Sequence, residues 1–145
     1  LDYSALRYAN VYGPRQDPFG EAGVVAIFTQ KMLRGEQPII NGNGMQTRDY
    51  VFVENVVEAN MAVMHNQVND TFNVGTGKET SVNQLFRHLL DVTGAEAKEI
   101  HGPEKKGEQI RSCLDAQKIH KMLDWEPRVQ LQEGLMKTVD YFKND

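Results

Sequence analysis

Arg48 is the residue of this sequence whose type and setting best suit the binding of an anion. It follows the run Asn41-Gly42-Asn43-Gly44, a hairpin-like turn signal, and precedes the apolar segment Tyr50-Val51-Phe52-Val53. Its side chain is therefore predicted to project from a rigid element into a crevice. A guanidinium presents two parallel N–H donors that match phosphate oxygens. The same fork suits an ion pair with a neighbouring carboxylate, and by residue type both readings are open. Lys105 and Lys106, beside Gly107, make a second positive spot, either a solvated loop or a ligand contact. Asn10 interrupts an apolar strand pattern, and a buried amide must find partners, in the backbone or in a ligand.

Other glycine and nucleophile patterns carry less. Gly42-Asn43-Gly44 has Thr47, not Gly, at the third place of a dinucleotide fingerprint and does not sit between a strand and a helix. Gly75-Thr76-Gly77-Lys78 resembles the end of a phosphate loop, but Phe72 stands where the first Gly belongs. Glu79 stands where a magnesium-binding hydroxyl is needed. Both sets are read as structural glycines. His65, His88, His101 and His120 lack metal-ligand spacing and Cys113 has no cysteine partner, so no metal site is expected. No serine occupies a Gly-x-Ser-x-Gly elbow.

The elements that must position Arg48 are legible as a mixed α/β series. A first strand through Tyr3, Ala5, Leu6, Tyr8 and Val11 leads into the turn-rich loop Tyr12 to Gly23. A helix follows with Val24, Ile27, Phe28 and Met32 on one face, ending at Arg34-Gly35. Ile39-Ile40 makes a short strand, Tyr50 to Val53 another, and Glu54-Asn55 open a second helix. Thr71 to Val74 is a strand. The third helix is announced by a capping box, Ser81 with Gln84, and the stripe Val82, Leu85, Phe86, Leu89, Leu90, and it stops at Gly94. A weak strand over Ala97 to Ile100, the stretch Ile110 to Leu114, a short helix with Ile119, Met122 and Leu123, and a last helix with Leu131, Leu135, Val139 and Phe142 complete the chain.

Bulk properties narrow the class. A formal net charge of -4 argues against a nucleic-acid partner, which calls for a basic stripe. No apolar run reaches the roughly 20 residues that span a bilayer. One cysteine closes no internal disulfide, so the cytoplasm is the expected location. Asn69-Asp70-Thr71 reads as a polar turn rather than a glycosylation site. A core strand at the very start, with nothing before it, leads to the expectation that these 145 residues are cut from a longer chain.

At these residues the sequence resembles the NAD-dependent nucleotide-sugar epimerases and dehydratases, the extended short-chain dehydrogenases. The resemblance is carried by Leu6-Arg7-Tyr8-Ala9-Asn10-Val11-Tyr12-Gly13-Pro14-Arg15-Gln16 and by Asn41 through Val53. Phe72-Asn73-Val74-Gly75-Thr76-Gly77, Ser81-Val82 and Leu123-Asp124-Trp125-Glu126-Pro127 add three further motifs. These five are in register across essentially the whole chain. The resemblance implies the carboxyl-terminal part of a Rossmann-type enzyme, with the small mixed α/β domain that holds the nucleotide sugar. Residues 1–12 and about 46–75 would pack on an NAD-binding domain supplied by the other half. The family's Tyr-x-x-x-Lys pair belongs to that half. No Tyr here has Lys four places on, so no catalytic residue is expected in this chain.

By the same resemblance, Asn10 contacts the sugar nucleotide beside the nicotinamide, and Tyr8 and Val11 run along the nicotinamide end of the cofactor. Val24 and Val25 cover the diphosphate, which Arg48 grips. Ile39 and Ile40 edge the base pocket, which Ser81 and Val82 border. Lys105 faces phosphate and Glu108 accepts from ribose hydroxyls. Two departures stand out. Lys105-Lys106-Gly107-Glu108 replaces the family's Arg-x-Gly-acid, keeping the charge but losing the two-pronged geometry; Arg111 is the cation that could compensate. Ala9 replaces a common aromatic and leaves room beside the nicotinamide. The implied parent is a homodimer converting a UDP-linked hexose of the glucose/galactose type through a 4-keto intermediate, with NAD carrying the hydride. A 4,6-dehydratase or a UDP-glucuronate decarboxylase is the alternative. From another class comes a stand-alone, non-catalytic nucleotide-sugar-binding module.

Overall fold

A computed structural model describes residues 3–19 and 23–144; Leu1 and Asp2 at the start of the expected first strand, and Gly20, Glu21 and Ala22 of the expected loop, lie outside them. Two short strands, β1 (Ala5–Tyr8) and β2 (Asn10–Tyr12), are separated by Ala9 alone, and this one extended segment changes partner at that point. β1 runs parallel to β6 (Thr71–Val74), while β2 runs parallel to β5 (Tyr50–Phe52). The same device recurs at Asp49, which divides β4 (Thr47–Arg48) from β5. β4 pairs antiparallel with β7 (Thr80–Ser81) and parallel with β9 (Arg111–Ser112). A further sheet joins β3 (Ile40–Asn41) to β8 (His101–Gly102), also parallel.

The turn at Asn41 to Gly44 is present, with Gly42 and Gly44 at positive φ, but it does not close a hairpin. β3 and β4 take different partners because β8 and β9, from the far end of the chain, offer parallel edges to each. Residues 97–100, anticipated as a weak strand, carry no regular structure; the strand begins one residue later.

Helices α1 (Val24–Leu33), α3 (Val82–Thr93) and α5 (Leu131–Asn144) pack together over one core containing Phe28, Met32, Leu85, Phe86, Leu89, Leu135 and Val139. Phe28 and Phe86 meet edge to face at 5.8 Å. α3 starts as its sequence demands: the Ser81 hydroxyl accepts from the Gln84 amide and the Gln84 side chain accepts from the Ser81 amide. A second core lies under α2 (Val53–Asn66) and α4 (Gln117–Leu123), around Val51, Val56, Phe72, Val74, Ile119 and Trp125. Buried Asn55 stitches the segment after α4 to α2. Its side chain exchanges bonds with both backbone groups of Val129, and its carbonyl accepts from the Trp125 indole at 3.1 Å.

The junction of the two pairing systems is held by the Asp49 carboxylate. It is fully buried and accepts from Thr76 N at 2.9 Å, Thr76 Oγ1 at 2.5 Å, Gly77 N at 3.0 Å and Leu114 N at 3.4 Å. Its backbone bonds Asn10 on one side and Ser112 on the other. The glycines of Gly75-Thr76-Gly77 thus cradle an anion after all, but an internal one. A Cβ on Gly75 would stand 2.5 Å from an Asp49 oxygen, which is why only glycine fits there.

Two outcomes follow from this packing. Asp49→Ala strands several buried donors at once and is expected to lower unfolding free energy by about 3 kcal/mol, with Asp49→Asn losing less, as read from urea denaturation. Gly134 lies on α5 so close to the Tyr12 hydroxyl and Phe52 ring that a methyl overlaps both. Gly134→Ala gains about 1 kcal/mol of helix propensity, but overpacking of about 1–3 kcal/mol outweighs it. Melting temperature should fall, and adding Tyr12→Phe, which removes the obstructing oxygen, should restore part of the loss.

Candidate functional site

The alternation of a β-strand decides what surrounds Arg48. In Arg48-Asp49-Tyr50 the middle side chain turns toward the Gly75–Gly77 loop, and its two neighbours turn to the opposite face. There they line a cleft of about 700 Å³, bounded by α1 on one wall and the Lys105–Gln109 loop on the other. A smaller recess of about 210 Å³ shares Asn41, Gln46, Lys105 and Glu108 with it and extends it outward.

Of the ten residues expected to meet a nucleotide sugar, the structure brings seven into this one cleft: Asn10, Val24, Ile39, Arg48, Val82, Lys105 and Glu108. Three do not line it, and each is the neighbour of one that does. Val25 is buried in the first core because it lies a further 100° around α1 from Val24. Ile40 is 0% exposed beneath the sheet, whereas Ile39, on the other face of the same strand segment, is 42% exposed. Ser81 spends its hydroxyl on the α3 cap. The two cofactor candidates sit elsewhere. Tyr8 is exposed at the end of β1 with its hydroxyl bonded to Asn60, and Val11 is half-buried against the second core. Ala9 also packs into that second core.

Charge in the cleft is unbalanced. Among the described residues, Lys31, Arg48, Lys105 and Lys106 line it with one acid, Glu108, and Glu104 lines the adjoining recess. Arg48 and Glu108 are paired at 3.5 Å, with side chains 15% and 27% exposed. The other Arg48 terminal nitrogen donates to the Thr47 carbonyl at 2.8 Å. Gln46 donates to the second Glu108 oxygen at 3.4 Å and to the Asn41 carbonyl at 3.0 Å, linking the acid to the end of β3. Arg111, the cation that could compensate for the lysine at 105, does not line the cleft. It is drawn to the outer side of the sheet by Glu79, whose carboxyl is held below its ordinary range chiefly by that guanidinium and then by the Thr47 hydroxyl.

The Asn10 side chain is not the buried amide that its apolar neighbours suggested: it is exposed at the cleft, and among the described residues it makes no hydrogen bond. Tyr50 is the residue that sequence reasoning passed over. Its hydroxyl is buried at the cleft wall with no partner among the described residues. Burial pushes the phenol upward, with Arg48 opposing and Glu108 reinforcing the shift. Period-two alternation from Arg48 carried the signal that could have found it. Lys31 was missed too, although it falls at i+7 from Val24, on the face that α1 turns to the cleft. Among the described residues, no group of three or more His, Cys, Asp or Glu is placed to hold a metal, and no helix is long and apolar enough to cross a membrane.

Comparison with known proteins shows what the sequence and fold are similar to. A UDP-glucose 4-epimerase of Mycolicibacterium smegmatis is 47% identical over 145 residues, covering 99% of this chain and 46% of that protein. The crystal structure of UDP-glucose 4-epimerase from Thermotoga maritima with UDP-glucose superposes with a TM-score of 0.96 at 54% identity, over 99% of this chain and 47% of that one. The Thermus thermophilus UDP-glucose 4-epimerase complex with NAD gives 0.89 at 37% identity, again over 99% and 47%. The chain therefore spans about half the length of the relatives it matches. The profile of the family described as GDP-mannose 4,6 dehydratase matches residues 1–138. With its motifs and fold in agreement with that match, the chain belongs to the GDP-mannose 4,6 dehydratase family, among the extended short-chain dehydrogenases.

Proposed function

We propose that this chain is the nucleotide-sugar-binding half of an NAD-dependent 4-epimerase acting on a UDP-linked hexose. The observation that carries the reading is the convergence of Asn10, Arg48, Lys105 and Glu108 on one cleft with apolar walls at Val24, Ile39 and Val82. A ligand suited to it is a diphosphate with a flat, partly apolar group at one end and a polar group at the other. Arg48 and Lys105 supply charge to the diphosphate, Ile39 and Val82 enclose the base, and Asn10 offers its amide to the sugar. Tyr50, with its unspent hydroxyl beside Arg48, is a further donor to a phosphate oxygen. Binding energy gathered at the remote diphosphate serves to position the reacting ring.

NAD would lie against Tyr8, which fits such a role: it is exposed at the carboxyl end of a parallel strand, the end at which open α/β sheets take ligands. When bound, NAD supplies the hydride acceptor for oxidation of a sugar hydroxyl. We place the NAD-binding domain against residues 1–12 and about 46–75. Exposed Val57, Met61 and Met64 form an apolar stripe on α2 that suits such packing. Tyr8 and the α2 stripe would then be covered in a longer, dimeric enzyme.

Calorimetric titration with UDP tests the reading. Saturable binding is expected, tighter than for GDP, and Arg48→Ala should weaken it by about 10- to 100-fold, the loss of charge-assisted bonds worth about 1.5–3 kcal/mol. A folded protein that ignores UDP, or an Arg48→Ala variant that binds it unchanged, would reject the assignment.

A further inference from the structure

We propose that Lys31 is a specificity-determining residue at the apolar end of the cleft. Its ammonium donates to the carbonyl at position 4 of a pyrimidine base and so selects uridine over cytidine diphosphates. This deepens the proposed function and rests on its reading of the cleft as a nucleotide-sugar site.

The cleft has two distinct ends, and α1 forms the wall between them. The start of α1 is tied to the Asn10 end. A Cβ on Gly23 would stand 2.7 Å from the Gln16 side-chain nitrogen, and that nitrogen donates to the Val11 carbonyl at 3.3 Å. Asn10, the residue before Val11, is paired with Tyr50, two places from Arg48. Lys31 falls seven residues after Val24, which returns it to the same helix face about 10 Å further along the axis. Just beyond it α1 ends at Leu33, and the chain comes back to Ile39, which lines the cleft with Phe28 and Val82. Phe28 is held edge to face on Phe86 at 5.8 Å, so this end has a rigid apolar floor.

Lys31 is the cation at this apolar end. It is partly buried, and among the described residues its side chain makes no hydrogen bond or ion pair. Its place in the last turn of α1, near the helix carbonyls, favours a positive charge there and leaves its three donors free. Arg48, Lys105 and Lys106 already supply charge for a diphosphate from the strand and the facing loop. A further cation among apolar side chains suits a flat ring with an acceptor on its outer edge. A pyrimidine joined to ribose through N1 presents its position-4 substituent at that edge. In uracil the substituent is a carbonyl oxygen, which accepts. In cytosine it is an amino group, whose donors oppose an ammonium that has only donors of its own. Selectivity then comes from the unfavourable contact with one base as well as from the favourable contact with the other.

The test compares affinities for UDP, CDP and inorganic pyrophosphate in the wild-type protein, in Lys31→Met and in Lys31→Arg. UDP and CDP differ only at the base edge that Lys31 would meet, and pyrophosphate has no base at all. Wild type is expected to prefer UDP over CDP. Lys31→Met keeps a straight-chain helix former in α1 and should weaken UDP about 10-fold while leaving CDP and pyrophosphate unchanged. Lys31→Arg, which retains charged donors, should keep the preference for UDP. Equal weakening of all three ligands by Lys31→Met would make the lysine a general anion contact and overturn the proposal. If Lys31→Met spares UDP while Arg48→Ala weakens it, the role of Lys31 is overturned and the cleft assignment survives. If Arg48→Ala leaves every ligand unaffected, the cleft assignment fails first and the role of Lys31 with it.

Discussion

The cleft depends on one buried carboxylate. Asp49 stands where two extended segments exchange partners, and its oxygens satisfy amides from the Gly75–Gly77 loop and from Leu114 while its backbone bridges β2 and β9. The carboxyl is tolerated at that depth because the Thr76, Gly77 and Leu114 amides and the Thr76 hydroxyl donate to it. Its position then dictates its neighbours. With Asp49 committed to one face of the strand, Arg48 and Tyr50 are committed to the other, and the cleft acquires a cation and a phenol on a rigid wall. The glycine-rich loop that looked like a phosphate cradle serves this internal anion.

Around that wall the cleft is assembled from elements far apart in the chain. α1 contributes an apolar face, the residue before β3 an isoleucine, the start of α3 a valine, and the turn before β9 its charges. None of these touches a neighbour in sequence; they meet because β4 pairs with both β7 and β9 and because β3 pairs with β8. The Arg48–Glu108 pair ties the β4 wall to the turn before β9. Its two sides are each partly exposed, so the pair adds little to stability. Its consequence is for the charge that an incoming ligand meets.

The local grammar of the sequence was readable where one residue type has one physical use. Ser81 with Gln84 marked the start of α3 and Gly94 its end; of the stripe Val82, Leu85, Phe86, Leu89, Leu90, the first four are buried and Leu90 is partly buried against the same core. The five motifs placed the chain in its family, and Arg48 was legible as a cation on a strand facing a crevice. By residue type it was equally legible as an ion-pair partner, and Glu108 lies 3.5 Å from it.

What sequence could not separate were the doublets Val24-Val25, Ile39-Ile40 and Ser81-Val82. Motif matching names both members, but a helix turns 100° and a strand 180° per residue, so one member reaches the cleft and the other the core or a cap. Which member goes where depends on which face the neighbouring layers cover, and that is a property of packing. The same holds for the turn at Asn41 to Gly44. Its glycines specified a reversal, whereas the absence of a hairpin was decided by β8 and β9, some sixty residues away, offering β3 and β4 separate parallel edges. The sequence by itself determined the elements, the family and the cation. The tertiary structure alone decided which side of each element the cation and its companions would share, because pairing and burial are settled between segments rather than within them.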